Sequence, residues 1–160
     1  MPDLAAGNQV LELAIRMEEI ARDFYESLAL ASNDAKVRQF CLEACRQEAA
    51  HWTTFRTMRE EWSRSHQATL MEPKTLEALA NLAKAQSCPN PDEVREIALK
   101  GTLARALEVA IEMERGAIRF YEGMRRSLPK LTDTLDGILA QERTHVGKLQ
   151  ALAAGVGAAR

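Results

Sequence analysis

Two stretches of this chain repeat each other, and each repeat places a glutamate inside an otherwise apolar helical stripe. Leu11 to Leu28 reads LELAIRMEEIARDFYESL and Leu107 to Met124 reads LEVAIEMERGAIRFYEGM, with ten of eighteen aligned positions identical at an offset of 96. Downstream of each lies a Gln-Glu-x-x-His segment, Gln47 to His51 and Gln141 to His145, at an offset of 94. The pattern points to a duplicated helical hairpin. Glutamate and histidine three apart share one helix face, one turn from each other, and can converge on one metal ion. Each Glu-x-x-His also has a lone glutamate in the preceding helix, Glu18 and Glu114. Two glutamates plus two Glu-x-x-His pairs form the ligand set of a carboxylate-bridged two-metal site in a four-helix bundle.

The periodicity predicts four long helices. The first runs from about Asn8 to Ala31, with Leu11, Ala14, Glu18, Ala21, Tyr25 and Leu28 facing inward. Ser32, Asn33 and Asp34 supply turn and capping chemistry. The second runs from about Ala35 to Arg64, with Cys41, Ala44, Glu48, His51, Phe55, Met58 and Trp62 on its stripe. A third, about Thr102 to Leu128, presents Leu107, Ala110, Glu114, Ala117, Tyr121 and Met124, and Pro129 ends it. The fourth, about Leu131 to Ala154, presents Leu135, Ile138, Glu142, His145, Leu149 and Leu152. The Ala/Gly tail beyond it is expected to fray. Residues 65–101 form a connector broken by Pro73, Pro89 and Pro91, with a short helix at Thr75 to Ala85 and another starting at Pro91. The expectation is an all-α bundle in a single domain over residues 1–160. Its hairpins, about 8–64 and 102–154, are joined by one long crossover containing short helices.

Six polar side chains therefore fall on core stripes: Glu18, Glu48, His51, Glu114, Glu142 and His145. Four carboxylates in one interior repel each other and lose hydration, at a cost of several kcal/mol per buried ion. Two di- or trivalent cations would cancel that cost. A thiolate-free set of carboxylates and imidazoles suits iron or manganese better than structural zinc. Glu18 and Glu114 are assigned as terminal ligands, one per metal. Glu48 and Glu142 bridge, and His51 and His145 each give one nitrogen. Glu19 is off the stripe and is not assigned. Tyr25 and Tyr121, seven residues after Glu18 and Glu114, lie two turns along the same face. They are placed for a hydrogen bond to a ligand or for a redox role, with plain core packing as the alternative. His66 has no glutamate three residues before it and is read as surface.

The remaining composition narrows the function. The chain has 160 residues, a net charge of −2 and 28% charged residues, which suggests neither a nucleic-acid nor a membrane partner. No apolar run reaches membrane-spanning length, and Met1 to Gln9 lacks a leader pattern, so the expectation is a cytoplasmic protein. Cys41, Cys45 and Cys88 contain no Cys-x-x-Cys pair and are expected to be buried reduced thiols.

The segments AIRMEEIARDFYESLA, QEAAH, AIEMERGAIRFYE and QERTH make the chain resemble the rubrerythrin-like branch of the ferritin-like superfamily, over roughly Val10 to Leu152 outside the connector. The resemblance implies a non-haem di-iron carboxylate protein, a homodimer or larger. Its substrates would be dioxygen (O2), hydrogen peroxide (H2O2) or Fe2+, and its cofactor two iron ions, with manganese or a mixed pair compatible. Glu18, Glu48, His51, Glu114, Glu142 and His145 match the family's ligand positions. Two departures stand out. Typical rubrerythrins add a rubredoxin domain with two Cys-x-x-Cys pairs; none is present here, so a separate electron donor is expected. They also carry a glutamate three residues after the third-helix ligand, where this chain has Ala117. That favours a symmetric oxidase or ferroxidase centre over a peroxidase. The competing readings are an iron-binding or storage component without dedicated turnover, a monooxygenase of organic substrates, which needs an apolar pocket beside the metals, and a helical scaffold without activity.

Overall fold

The computed structural model describes residues 4–65 and 71–158. Six α-helices and one 3-10 turn account for nearly all of them, and no strand occurs among the described residues. Helices α1 (Leu4–Ala31) and α2 (Ala35–Arg64) form one hairpin. Helices α5 (Leu103–Ser127) and α6 (Thr132–Ala158) form the other, and α3 (Pro73–Ala85) and α4 (Pro91–Lys100) lie in the crossover between them. This is an all-α, ferritin-like four-helix bundle.

Local chemistry sets the boundaries. The Asp34 carboxylate accepts from the backbone N–H groups of Lys36 and Val37 at 2.8 and 3.0 Å, which starts α2 after a three-residue turn. Asn90 caps α4 in the same way, with Pro91 in the first turn where its missing N–H costs nothing. Thr102 caps α5 through the Arg105 N–H, and Pro129 follows its last residues.

Helix α3 starts at Pro73, in its first turn, rather than at Thr75, and two boundaries differ from the sequence expectation by about a turn. Helix α1 begins at Leu4 rather than near Asn8, because Ala6 and Gly7 are buried and Gly7 lies directly under the Trp62 ring of α2. Helix α6 continues through Ala158 instead of fraying after Ala154. Leu152, Ala153 and Val156 pack against the adjacent core, and that contact outweighs the helix penalty of the tail glycines. His66, expected at the surface, lies outside the described residues. No described helix is long and apolar enough to cross a membrane.

The four long helices enclose two apolar clusters. One gathers Val10, Leu11, Phe55, Met58, Trp62, Phe120, Leu135 and Leu139, together with Leu79 of α3. The other gathers Phe24, Leu28, Phe40, Leu107, Ala110 and Leu149, with Val94 of α4. Residues 18, 48–51, 114 and 142–145 fall between the two clusters along their helices, so the polar layer is sealed from both ends of the bundle. Helices α3 and α4 pack on α1 and α5, so the crossover covers that face.

Candidate metal centre

Every residue assigned to the site from the sequence reaches it. Glu18, Glu48, His51, Glu114, Glu142 and His145 are each no more than 3% exposed. Their donor atoms fall into two groups within 4.8 Å: Glu18, Glu48, His51 and Glu142, then Glu48, Glu114, Glu142 and His145. Glu48 and Glu142 belong to both groups. Glu19 is turned away, accepting a 2.9 Å hydrogen bond from the Trp52 indole, as expected of an off-stripe residue.

The two groups are near-mirror copies. His51 Nδ1 lies 3.1 Å from Glu48 Oε2, 3.1 Å from Glu142 Oε1 and 3.5 Å from Glu18 Oε2. His145 Nδ1 lies 3.1 Å from Glu48 Oε1, 3.1 Å from Glu142 Oε2 and 3.3 Å from Glu114 Oε1. On the far side of each ring a glutamine side chain meets Nε2. Gln141 Oε1 is 2.5 Å from His51, and Gln47 Oε1 is 2.5 Å from His145. The tyrosine hydroxyls donate across the bundle, Tyr25 to Glu114 and Tyr121 to Glu18. Both tyrosines are fully buried. Tyr25 stacks edge-on against Phe40, and Tyr121 lies 5.0 Å from Phe55 between ring centroids. They are therefore hydrogen-bonded to the carboxylates as well as packed in the core.

The electrostatics describe a site that needs positive charge. Burial, then the charge of Glu48, pushes the carboxyl groups of Glu18 and Glu114 well above the usual range. Burial alone would raise Glu48 too, but the adjacent imidazoles of His145 and His51 outweigh it and hold this carboxyl down at about 2. Burial opposes the charge on His145, yet the close carboxylates of Glu114, Glu142 and Glu48 push it up to about 12. His51 is raised in the same way by Glu142, Glu18 and Glu48. Burial, then the adjacent carboxylates, also keep both tyrosine hydroxyls protonated far above the ordinary phenol range. Protons thus gather where cations would sit. The buried oxygens Glu18 Oε2 and Glu48 Oε1 accept no hydrogen bond. Glu48 Oε1 is within 3.1 Å of His145 Nδ1 but out of line for one. Unsatisfied acceptors at the centre of a carboxylate–imidazole cluster fit a pair of metal ions.

On the α1–α5 face, a cavity of about 30 Å³ reaches the carboxylates. Ala21 and Ala117 leave it open, and Met17, Met113 and Pro89 of the crossover line its outer part. Neither this cavity nor the role of the glutamines was anticipated from the sequence. The glutamines did carry a signal, since both repeats have the same residue before the glutamate that the two groups share. The cysteines depart from expectation. All three are free thiols, but only Cys41 is fully buried, its thiol pushed up to about 12 by burial and by Cys45. Cys45 is half-buried at the flank of the α2 stripe, and Cys88 is half-buried in the turn between α3 and α4, against both apolar clusters.

A bundle with paired Glu-x-x-His helices, two donor groups that share a pair of glutamates and one long crossover defines the ferritin-like carboxylate proteins. The sequence model of the rubrerythrin family matches residues 9–153, and the chain belongs to that family. No curated protein and no solved structure matches the chain.

Proposed function

We propose that this chain is a di-iron oxidoreductase whose Glu18, Glu48, His51, Glu114, Glu142 and His145 hold two iron ions and which reacts with dioxygen or peroxide, with Fe2+ among its substrates. The observation that carries this reading is the pair of four-residue groups sharing Glu48 and Glu142 in a layer sealed by apolar residues. Two ferrous ions, if held there, would supply one electron each, the pair of electrons that takes dioxygen to peroxide or peroxide to water.

The chain's own residues do the rest. Glu48 and Glu142 hold the two positions together, while Glu18 and Glu114 complete them from α1 and α5. Tyr121 and Tyr25 donate to those terminal carboxylates and fix their rotamers, and on Glu18 this leaves Oε2 free to ligate. The apolar clusters exclude bulk water. The cavity beside Ala21 and Ala117 is the size of one or two waters, which supports a diatomic or peroxide reactant and speaks against an organic substrate.

Ala117 marks the reactivity expected. A glutamate there would add a carboxylate at the cavity, on the helix turn after Glu114. Stopped-flow oxidation of the reduced, iron-loaded protein is expected to be readily measured with dioxygen and slower with hydrogen peroxide. Ala117→Glu is expected to shift the ratio toward peroxide. Peroxide reacting far faster than dioxygen in the unmodified protein, with no change in Ala117→Glu, would replace this reading with a peroxidase.

A further inference from the structure

The geometry points to Gln47 and Gln141 as positioning residues that set the metal-binding tautomer of the histidine in the opposite hairpin. The inference rests on the metal-site reading above. An amide oxygen carries no proton and only accepts hydrogen bonds. A ring nitrogen 2.5 Å from Gln47 Oε1 or Gln141 Oε1 must therefore bring the proton, so Nε2 of His145 and of His51 is the N–H. With the N–H fixed at Nε2, the lone pair of the neutral ring is on Nδ1. That is the atom facing Glu48 and Glu142, and it becomes the free lone pair for a cation.

The amide orientation has its own anchor in the first hairpin. Gln47 Nε2 donates to Glu43 Oε1 at 3.4 Å, and Glu43 Oε1 lies 3.5 Å from Lys148 Nζ of α6. A flipped Gln47 would set its NH2 group against the imidazole N–H and its oxygen against the Glu43 carboxylate. Both contacts would be repulsive. Position 137, four residues before Gln141, is glycine, so the second amide has no such anchor on its own helix.

Both contacts cross between the halves. Gln47 of α2 holds His145 of α6, and Gln141 of α6 holds His51 of α2. Removing Gln47 therefore weakens the group containing Glu114 and His145, not the group on its own hairpin.

The test is a Co2+ titration of the metal-free full chain, read by visible absorption and by proton NMR. Unmodified protein is expected to bind two Co2+ and to show two hyperfine-shifted, solvent-exchangeable imidazole N–H signals. Gln47→Leu is expected to weaken one binding step by roughly 10- to 100-fold and to lose one N–H signal. Gln141→Leu is expected to lose the other. Gln47→Glu, which keeps an acceptor, is expected to restore both affinity and signal. Adding Gln47→Leu to Glu114→Ala costs little more, whereas adding it to Glu18→Ala removes the second site as well. Two tight sites and two N–H signals in Gln47→Leu would overturn the positioning role while leaving the metal site intact. Weakening that Gln47→Glu does not rescue would also overturn it, since packing alone would then explain the loss. Unmodified protein that binds no Co2+ would overturn the metal-site reading and this inference with it.

Discussion

At the scale of single residues, the centre is a contest between burial and charge. Four carboxyl groups and two imidazoles share a volume that water does not reach. In the absence of cations, protons settle on Glu18, Glu114 and the two imidazoles. Glu18 and Glu114 are raised by burial and by Glu48, and His145 is raised to about 12 by the carboxylates around it. Metal uptake must expel those protons, so protons compete with the metal. Apparent affinity is expected to rise with pH throughout the range below about 12, and to fall as acid refills the site. Calorimetric titration with Mn2+ at a fixed pH, in buffers of different ionisation enthalpy, measures this directly. Heats that do not depend on the buffer would mean that no proton leaves, and the protonation pattern described here would be wrong.

At the scale of helices, the site depends on register. Glu18, Glu48, Glu114 and Glu142 face one another because the apolar stripes on both sides of them fix the rotation of each helix. That register was legible in the sequence. The stripes put all six donor residues at core positions, and duplication repeated the pattern at a constant offset. Other features depend on contacts between elements that sequence periodicity does not encode. The cavity exists because α3 and α4 lie across α1 and α5 and bring Pro89 beside Met17 and Met113. The Gln47–His145 bond joins residues 98 apart in sequence on different helices. The start of α1 was missed for the same reason, since it depends on Trp62. A Cβ on Gly7 would lie 2.2 Å from the Trp62 ring, a rigid neighbour that cannot yield as an aliphatic side chain can. Gly7→Ala is expected to destabilise the α1–α2 hairpin by about 1–3 kcal/mol, as overpacking does. Denaturant unfolding would check it. An unchanged midpoint would mean that Gly7 does not pack under Trp62.

At the scale of the whole molecule, the bundle is a hydrophobic shell around a charged layer, and the layer is its weak point. Replacing the expelled protons by metal in the folded state alone stabilises the fold by mass action. The gain is about 2.7 kcal/mol per site when free metal is one hundred times Kd. For a chain of this size that corresponds to a rise in Tm of roughly 5–10 °C per site. Thermal melts with and without Fe2+ under anaerobic conditions would show it. Coincident melts would mean that the carboxylates do not form one metal-binding layer. The same arrangement explains why family membership was readable from one chain. A carboxylate layer in a bundle core is so costly without cations that its residues carry their own functional explanation.

The central claim is that two metal ions share Glu48 and Glu142. The most direct measurement is an anomalous difference map from crystals of the Mn2+-loaded protein. Two peaks roughly 3.5–4 Å apart are expected. One should lie beside Glu18 and His51, the other beside Glu114 and His145, with Glu48 and Glu142 between them. A single peak, or metal bound only at surface carboxylates with the buried layer unchanged, would contradict the account.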